Sequence, residues 1–232
     1  MIRRLPHTPG PRAGRGSAAL RLLGALLVMG LLAPLAAPAA APTPDPEALT
    51  ELIADLAAIP GLVAHFREEK RLALLEEPLV SEGSLYYARP DRLRRSVEQP
   101  VRSTLVLRGS ELSMAAGGSA RVIDLEAQPT IRVFVESFRL ILAGDLPRLR
   151  ELYELELRAA SADGWELVLT PRVPPLAEAI AAVEVRGRGR VLRELRVRES
   201  GGDETVTQFR DVDPARDFSE RERDELFRIS AP

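Results

Sequence analysis

From Leu62 to Val212 the chain is written in short alternating segments, each closed by proline, glycine or a brief turn. "GSLYYARP", "DRLRRSVEQP" and "RSTLVLRG" follow one another almost without spacers. An apolar period of two places one set of side chains on one face of a sheet. Turns of about two to five residues leave no room for a crossover helix, so successive strands must run antiparallel. "SELSMAAGGSARVIDL" predicts two strands around a turn at Gly117-Gly118, and "ELYELELRAA", "GWELVLTPR", "AAVEVRGRGRVLRELRVRES" and "ETVTQFRDV" repeat the theme. The count is roughly nine to eleven short strands, a barrel or a strongly curved sheet.

Two segments break the alternation. "PEALTELIADLAAIPG" predicts a helix: Pro46 suits a first turn, Glu47 complements the dipole, and Leu49, Leu52, Ile53 and Leu56 share one face. "TIRVFVESFRLILAGDLPRLREL" carries Phe134, Phe138, Ile141 and Leu142 at helical spacing, with a stop near Gly144 and a second turn or helix from Pro147. "FSERERDELFRIS" reads as a charged helix or a frayed tail.

A curved sheet has a concave face that must be covered. Leu62, Ala64 and Phe66 share one strand face, and Leu85, Tyr87 and Arg89 share another. Side chains filling that space would make it only a core. A removable helix over it would make a cavity with a lid, and Phe134, Phe138, Ile141 and Leu142 are the residues such a lid would present. Both readings stand on periodicity alone.

The first forty residues are of a different kind. Arg3, Arg4, Arg12, Arg15 and Arg21 precede "LLGALLVMGLLAPLAAPAAA" with no acid among them, the order of a secretory signal peptide. Its apolar core is shorter than the ~20 residues that span a bilayer. With a cut after Ala39, residues 1–39 are the expected signal peptide, 40–46 a proline-rich lead-in and 47–232 a single domain. Without a cysteine there is no disulfide, no thiolate metal site and no acylation site of the bacterial lipoprotein kind. Losing the leader takes the formal net charge from −2 to −7, with 27 basic against 34 acidic residues. That balance argues against nucleic acid as a partner.

Enzyme chemistry finds no foothold. His7 leaves with the leader and His65 alone makes no metal site. No G-x-S-x-G, P-loop or dinucleotide fingerprint occurs, and "GRGRV" has neither the spacing nor the context of one. The paired acids Glu68-Glu69 and Glu76-Glu77 point opposite ways and read as a solvated edge. The expectation is a protein without enzymatic activity, metal or cofactor.

The stretch "AHFREEKRLALLEEPLVSEGSLYYARPDRLRRSVEQP" resembles the outer-membrane lipoprotein carrier family, the LolA-like proteins of Gram-negative bacteria. The resemblance continues in order through "STLVLRGSEL", "GWELVLTPR" and "GRVLRELRVRES", from about Ala48 to Phe218. It implies a mainly β fold, a half-open antiparallel β-barrel of about eleven strands closed by short helices. It implies a monomeric periplasmic carrier whose cavity shields acyl chains of a lipoprotein or other lipid between inner and outer membrane. The donor would be an inner-membrane ABC or RND-type exporter, and the receiver an outer-membrane acceptor. In the family an arginine just before the strand-breaking proline bonds to the lid helix; Arg89 of "YARPDRL" holds that place. The lipid-binding and lid set is then Arg89, Phe66, Leu85, Tyr87, Leu93, Phe134, Phe138, Ile141 and Leu142.

Departures from the family pattern are specific. Aromatics just past the proline are replaced by Leu93 and Arg95, and Glu68 stands where glutamine is usual. Arg95 has the parity of Leu93, so either a bulge shifts the register or the cavity holds a second basic group. "PLVSEG" resembles a divergent branch linked to acyl or polyene lipid export, which extends the cargo to a glycolipid or aryl-polyene lipid. The alternative function is an envelope sensor or structural domain of the same fold with a filled cavity.

Overall fold

The computed structural model describes residues 46–229 except 126, 128, 162 and 163. The expected leader and most of the lead-in lie outside the described residues, as do the side chains of Phe134, Phe138 and Leu142. Helix α1 (Pro46–Ala57) precedes β1 (Gly61–Arg71), β2 (Leu79–Ala88), β3 (Arg92–Gln99), β4 (Ser103–Arg108), β5 (Glu111–Ala116) and β6 (Ser119–Ile123). Helices α2 (Pro129–Ala143) and α3 (Leu146–Leu152) then lead to β7 (Tyr153–Ser161) and β8 (Gly164–Pro171). A short α4 (Leu176–Ala179), β9 (Ile180–Arg188), β10 (Val191–Glu199), β11 (Glu204–Asp213) and α5 (Glu220–Leu226) complete the order.

All eleven strands form one unclosed sheet in the order β6-β5-β4-β3-β2-β1-β11-β10-β9-β8-β7. Every pairing is antiparallel. β1 therefore lies in the middle, where β11 returns to pair with it. The expected half-open antiparallel barrel, closed by short helices, is what the chain forms.

Register sorts the side chains. Leu62, Tyr87, Leu93, Leu107 and Leu112 stand opposite one another across β1 to β5, and the row is apolar throughout. α1 buries Leu49, Leu52, Ile53 and Leu56 in the same cluster, so this is the inner face. The outer face differs between the two halves of the sheet. Across β8 to β11 it is a charge ladder, with Arg186 bonding Glu166 and Glu194 at 2.9 and 2.8 Å and Arg196 bonding Glu204 at 2.9 Å. Across β1 to β4 it is apolar at Val63, Tyr86, Ala88 and Val106, and the C-terminal segment covers it with Phe218 and Phe227.

The ends of α2 and α5 follow from local chemistry. Gly144 has φ +74°, and the N–H groups of Gly144 and Asp145 return to the carbonyls of Ile141 and Leu140. That is a Schellman stop, a position that favours glycine. Asp145 then accepts from Arg148 N–H at 3.1 Å and starts α3. α5 opens with a capping box between Ser219 and Glu222, and ends with Arg94 donating to the carbonyl of Leu226 at 2.7 Å. The charged tail is thus a docked helix.

Candidate functional site: an apolar cavity under a helical lid

Strands β2 and β7 stand seven positions apart in the sheet, counting both. Six strand spacings of about 4.8 Å would put them roughly 29 Å apart on a flat sheet. Yet Leu85 of β2 and Tyr153 of β7 line one cavity of about 140 Å³. The sheet is therefore curled, and α1 and α2 lie over its inner face, contributing Leu56 and Ile141 to the wall.

The wall is almost wholly hydrocarbon. Arg190, in the turn between β9 and β10, is the one charged residue among the described lining, and it pairs outward with Asp55 of α1 at 3.2 Å. On the wall, Ser137 of α2 and the Tyr153 phenol form a hydroxyl pair at 2.6 Å. Burial pushes the Tyr153 pKa up, while the bond from Ser137 opposes the rise. Burial likewise raises the Tyr87 pKa; the charge of Arg89 pulls it back, and Asp91 adds to the rise. Burial thus favours the neutral form of both phenols in an apolar wall. Among the described residues no group of three or more His, Asp and Glu could hold a metal ion.

The structure places the expected residues as follows. Leu85, Tyr87 and Ile141 line the cavity, and Leu93 packs half-buried against the same core. Phe66 is fully buried but lies further along β1 than the described lining. Arg89 sits half-buried just past β2, its N–H bonded to the carbonyl of Pro60 at 3.1 Å. Phe134, Phe138 and Leu142 belong to α2 by backbone.

Arg95 resolves the question its parity raised. β2 and β3 pair without a shift from Gly83 to Ala88, so Arg95 stands opposite Leu85 on the inner face. Its guanidinium stacks 4.5 Å from the Phe66 ring centroid and bonds Glu68 at 2.8 Å. Glu68 also accepts from Thr207 at 3.0 Å. Gly83 makes room for this cluster: a Cβ there would lie 1.9 Å from the Ser96 carbonyl and 3.0 Å from the Phe66 ring. The reading of Glu68 as a solvated edge is corrected here, because β1 is a central strand and the carboxylate is neutralised on the inner face.

Sequence reasoning missed half of the wall. Tyr153, Trp165, Leu169, Val183, Val185 and Leu195 come from the second half of the sheet. The signal was the same alternation, as in Trp165, Leu167 and Leu169 of "GWELVLTP".

An antiparallel sheet curled around a hydrocarbon cavity, with short helices over it, is the architecture of a small apolar-pocket protein rather than of a charged or metal-binding site. Residues 36–217 match the family described as "Outer membrane lipoprotein carrier protein LolA-like", and the chain belongs to that family. No curated protein matches the sequence significantly. Among solved structures, a LolA superfamily protein from Nitrosomonas europaea shares 12% identity over 77% of this chain and 96% of its own, with a TM-score of 0.42. A putative outer membrane lipoprotein-sorting protein domain from Vibrio parahaemolyticus shares 11% identity over 78% and 97%, with a TM-score of 0.46. A chain of the Pseudomonas aeruginosa MucA/MucB complex shares 15% over 78%, but this chain spans only 60% of it, with a TM-score of 0.47.

Proposed function

We propose that the protein is a periplasmic carrier that shields the acyl chains of a lipoprotein or other lipid in this cavity while crossing from inner to outer membrane. The observation that carries the reading is the cavity itself, hydrocarbon on nearly every side and covered by a helix whose Ser137 bonds the Tyr153 phenol. Family membership supports the same reading. The leader-like residues 1–39 support export, with a mature chain beginning near Ala40.

Volume decides how cargo enters. A cavity of about 140 Å³ is close to the ~150 Å³ engineered cavity that binds benzene. A long acyl chain needs more, so α2 must move outward to admit it. A buried hydrogen bond contributes about 0.5–1.5 kcal/mol net, whereas each buried methylene gains about 0.8 kcal/mol. Cargo of modest length therefore outweighs the lid's polar hold. Arg89 adds a second restraint in this proposal, reaching the lid backbone in the empty state. Donor and acceptor are an inner-membrane ABC or RND-type exporter and an outer-membrane acceptor; the cargo is a lipoprotein, glycolipid or aryl-polyene lipid.

The small enclosed volume also favours a second reading, a sensor or structural domain of the envelope whose cavity is simply filled by its own side chains. Mass spectrometry of protein purified under native conditions separates the two. Co-purified acyl lipid is the expected result. Lipid-free protein that also ignores added fatty acid and lipopeptide would leave only the filled core.

A further inference from the structure

On the face of the sheet opposite the cavity, Arg92 and Arg108 stand directly across from each other on β3 and β4. Like charges in that position destabilise a sheet. Arg223 of α5 and Arg228 just beyond it join them, and these four arginines line a cleft of about 290 Å³ together with Asp224 and Phe227. Asp224 is the one carboxylate among the lining residues. Such a concentration of cations stands out in a chain whose formal net charge is −2.

The neutralising acids are largely exposed to solvent. Arg92 pairs with Asp224 at 3.2 Å and Arg223 with Asp217 at 3.5 Å, with the arginine side chains 32% and 34% exposed and the acids 78% and 84%. Arg108 pairs with Glu111 at 3.0 Å, half-exposed on both sides. Exposed pairs of this kind are weak and yield readily to a better anion. Arg228 has no acidic partner among the described residues, although it lines the cleft. Clustered arginines with only weak, exposed carboxylate partners are the arrangement an incoming anion completes.

We propose that this cleft is a binding site for a phosphoryl group. Guanidinium forks match the spacing of phosphate oxygens and bind them in pairs. A volume just below the ~300–1,000 Å³ of small-molecule pockets suits a head group rather than a whole lipid. The site lies on the outer face, so its occupant is separate from any chain in the cavity, and the inference stands whether or not the cavity carries lipid. A phosphoryl group here comes either from a phospholipid head group at a membrane surface or from a soluble phosphate.

Calorimetric titration of the purified chain with inorganic phosphate at low ionic strength tests it, alongside Arg223→Gln and Arg228→Gln. The expected result is measurable binding that weakens on the order of tenfold in each variant, since each removes charge-assisted bonds. Arg228 has no acidic partner among the described residues to lose, so that variant should keep its thermal midpoint and exclude misfolding as the cause. Sedimentation with phosphatidylcholine vesicles, with and without phosphatidylglycerol, separates the sources. Binding only to the anionic vesicles, lost in both variants, marks a lipid head group; phosphate binding without vesicle binding marks a soluble phosphate. A wild-type chain that takes up neither, or variants that bind as the wild type does, would overturn the proposal.

Discussion

The hydroxyl of Ser137 and the phenol of Tyr153 meet at 2.6 Å inside an almost wholly apolar wall, joining α2 to the first residue of β7. Tyr153→Phe keeps the ring and removes the bond. A loss of about 0.5–1.5 kcal/mol follows, and a domain of this size loses about 2–4 °C in Tm per kcal/mol. The effect falls on α2, so hydrogen exchange should quicken in its amides, and, if α2 acts as a lid, a hydrophobic dye should bind more readily. Unchanged exchange in α2 would show that the lid is held by packing alone.

The same phenol makes stability depend on alkaline pH. Burial raises the folded pKa of Tyr153 above its ordinary 10.0, and that of Tyr87 moves the same way. Above that value the unfolded chain releases protons that the folded chain retains, so folding weakens as pH rises. The stabilising contribution is complete below pH ~10 and is lost as pH climbs through the folded values. Denaturant midpoints measured from pH 9 upward should fall beyond that point, and Tyr153→Phe should fall less steeply. Equal slopes in the two proteins would remove Tyr153 as the cause.

The polar end of the inner face gives a third expectation. Arg95 lies between the Phe66 ring and Glu68, with side chains 31% and 23% exposed for the ion pair. Glu68→Gln leaves the guanidinium without its carboxylate and should cost about 1–3 kcal/mol. Replacing both, Glu68→Leu with Arg95→Leu, should recover much of that loss, because apolar pairs often substitute well for buried ion pairs. It also extends the hydrocarbon face, so dye binding should rise above wild type. A double-mutant cycle in denaturant reads the coupling; additive losses would show that the two charges act independently.

The parts legible in the sequence were those set by local periodicity. "GSLYYARP" and "GWELVLTP" announce strands because alternation is fixed by the pleat, and Gly144 announces the end of α2 because its left-handed backbone favours glycine. Pairing across the sheet was not legible. β1 meets β11 over more than a hundred residues of chain, so nothing near Glu68 reveals that Thr207 and Arg95 surround it. For the same reason the tail "FSERERDELFRIS" gave no sign that Phe218 and Phe227 pack edge to face, 6.1 Å apart, on the outer face. Tyr153 shares the alternation of Leu155 and Leu157, but that period does not reveal that the sheet curls to bring β7 opposite β2, and Tyr153 was missed.

The last prediction concerns two arginines of the same hairpin, Arg94 on the outer face and Arg89 with the parity of the inner one. Arg94, on β3, donates to the helix-terminal carbonyl of Leu226 at 2.7 Å and to Ser96 at 2.9 Å. Arg89, just past β2, has the parity of the lining residues Leu85 and Tyr87. Carbonyls at a helix end have no partner within the helix, and a guanidinium fork satisfies them well. Arg94→Leu should therefore weaken the docking of α5 by about 1.5–3 kcal/mol and lower Tm without touching acyl loading. Arg89→Leu should do the reverse, keeping Tm because leucine suits an apolar face. In the carrier reading the empty, closed state loses a restraint that the loaded state does not have. Loading should proceed as before, while transfer of a lipopeptide to acceptor membranes slows. An Arg89→Leu chain that loads and unloads at wild-type rates, or that unfolds, would assign Arg89 a structural role and leave the lid to Ser137 and Tyr153.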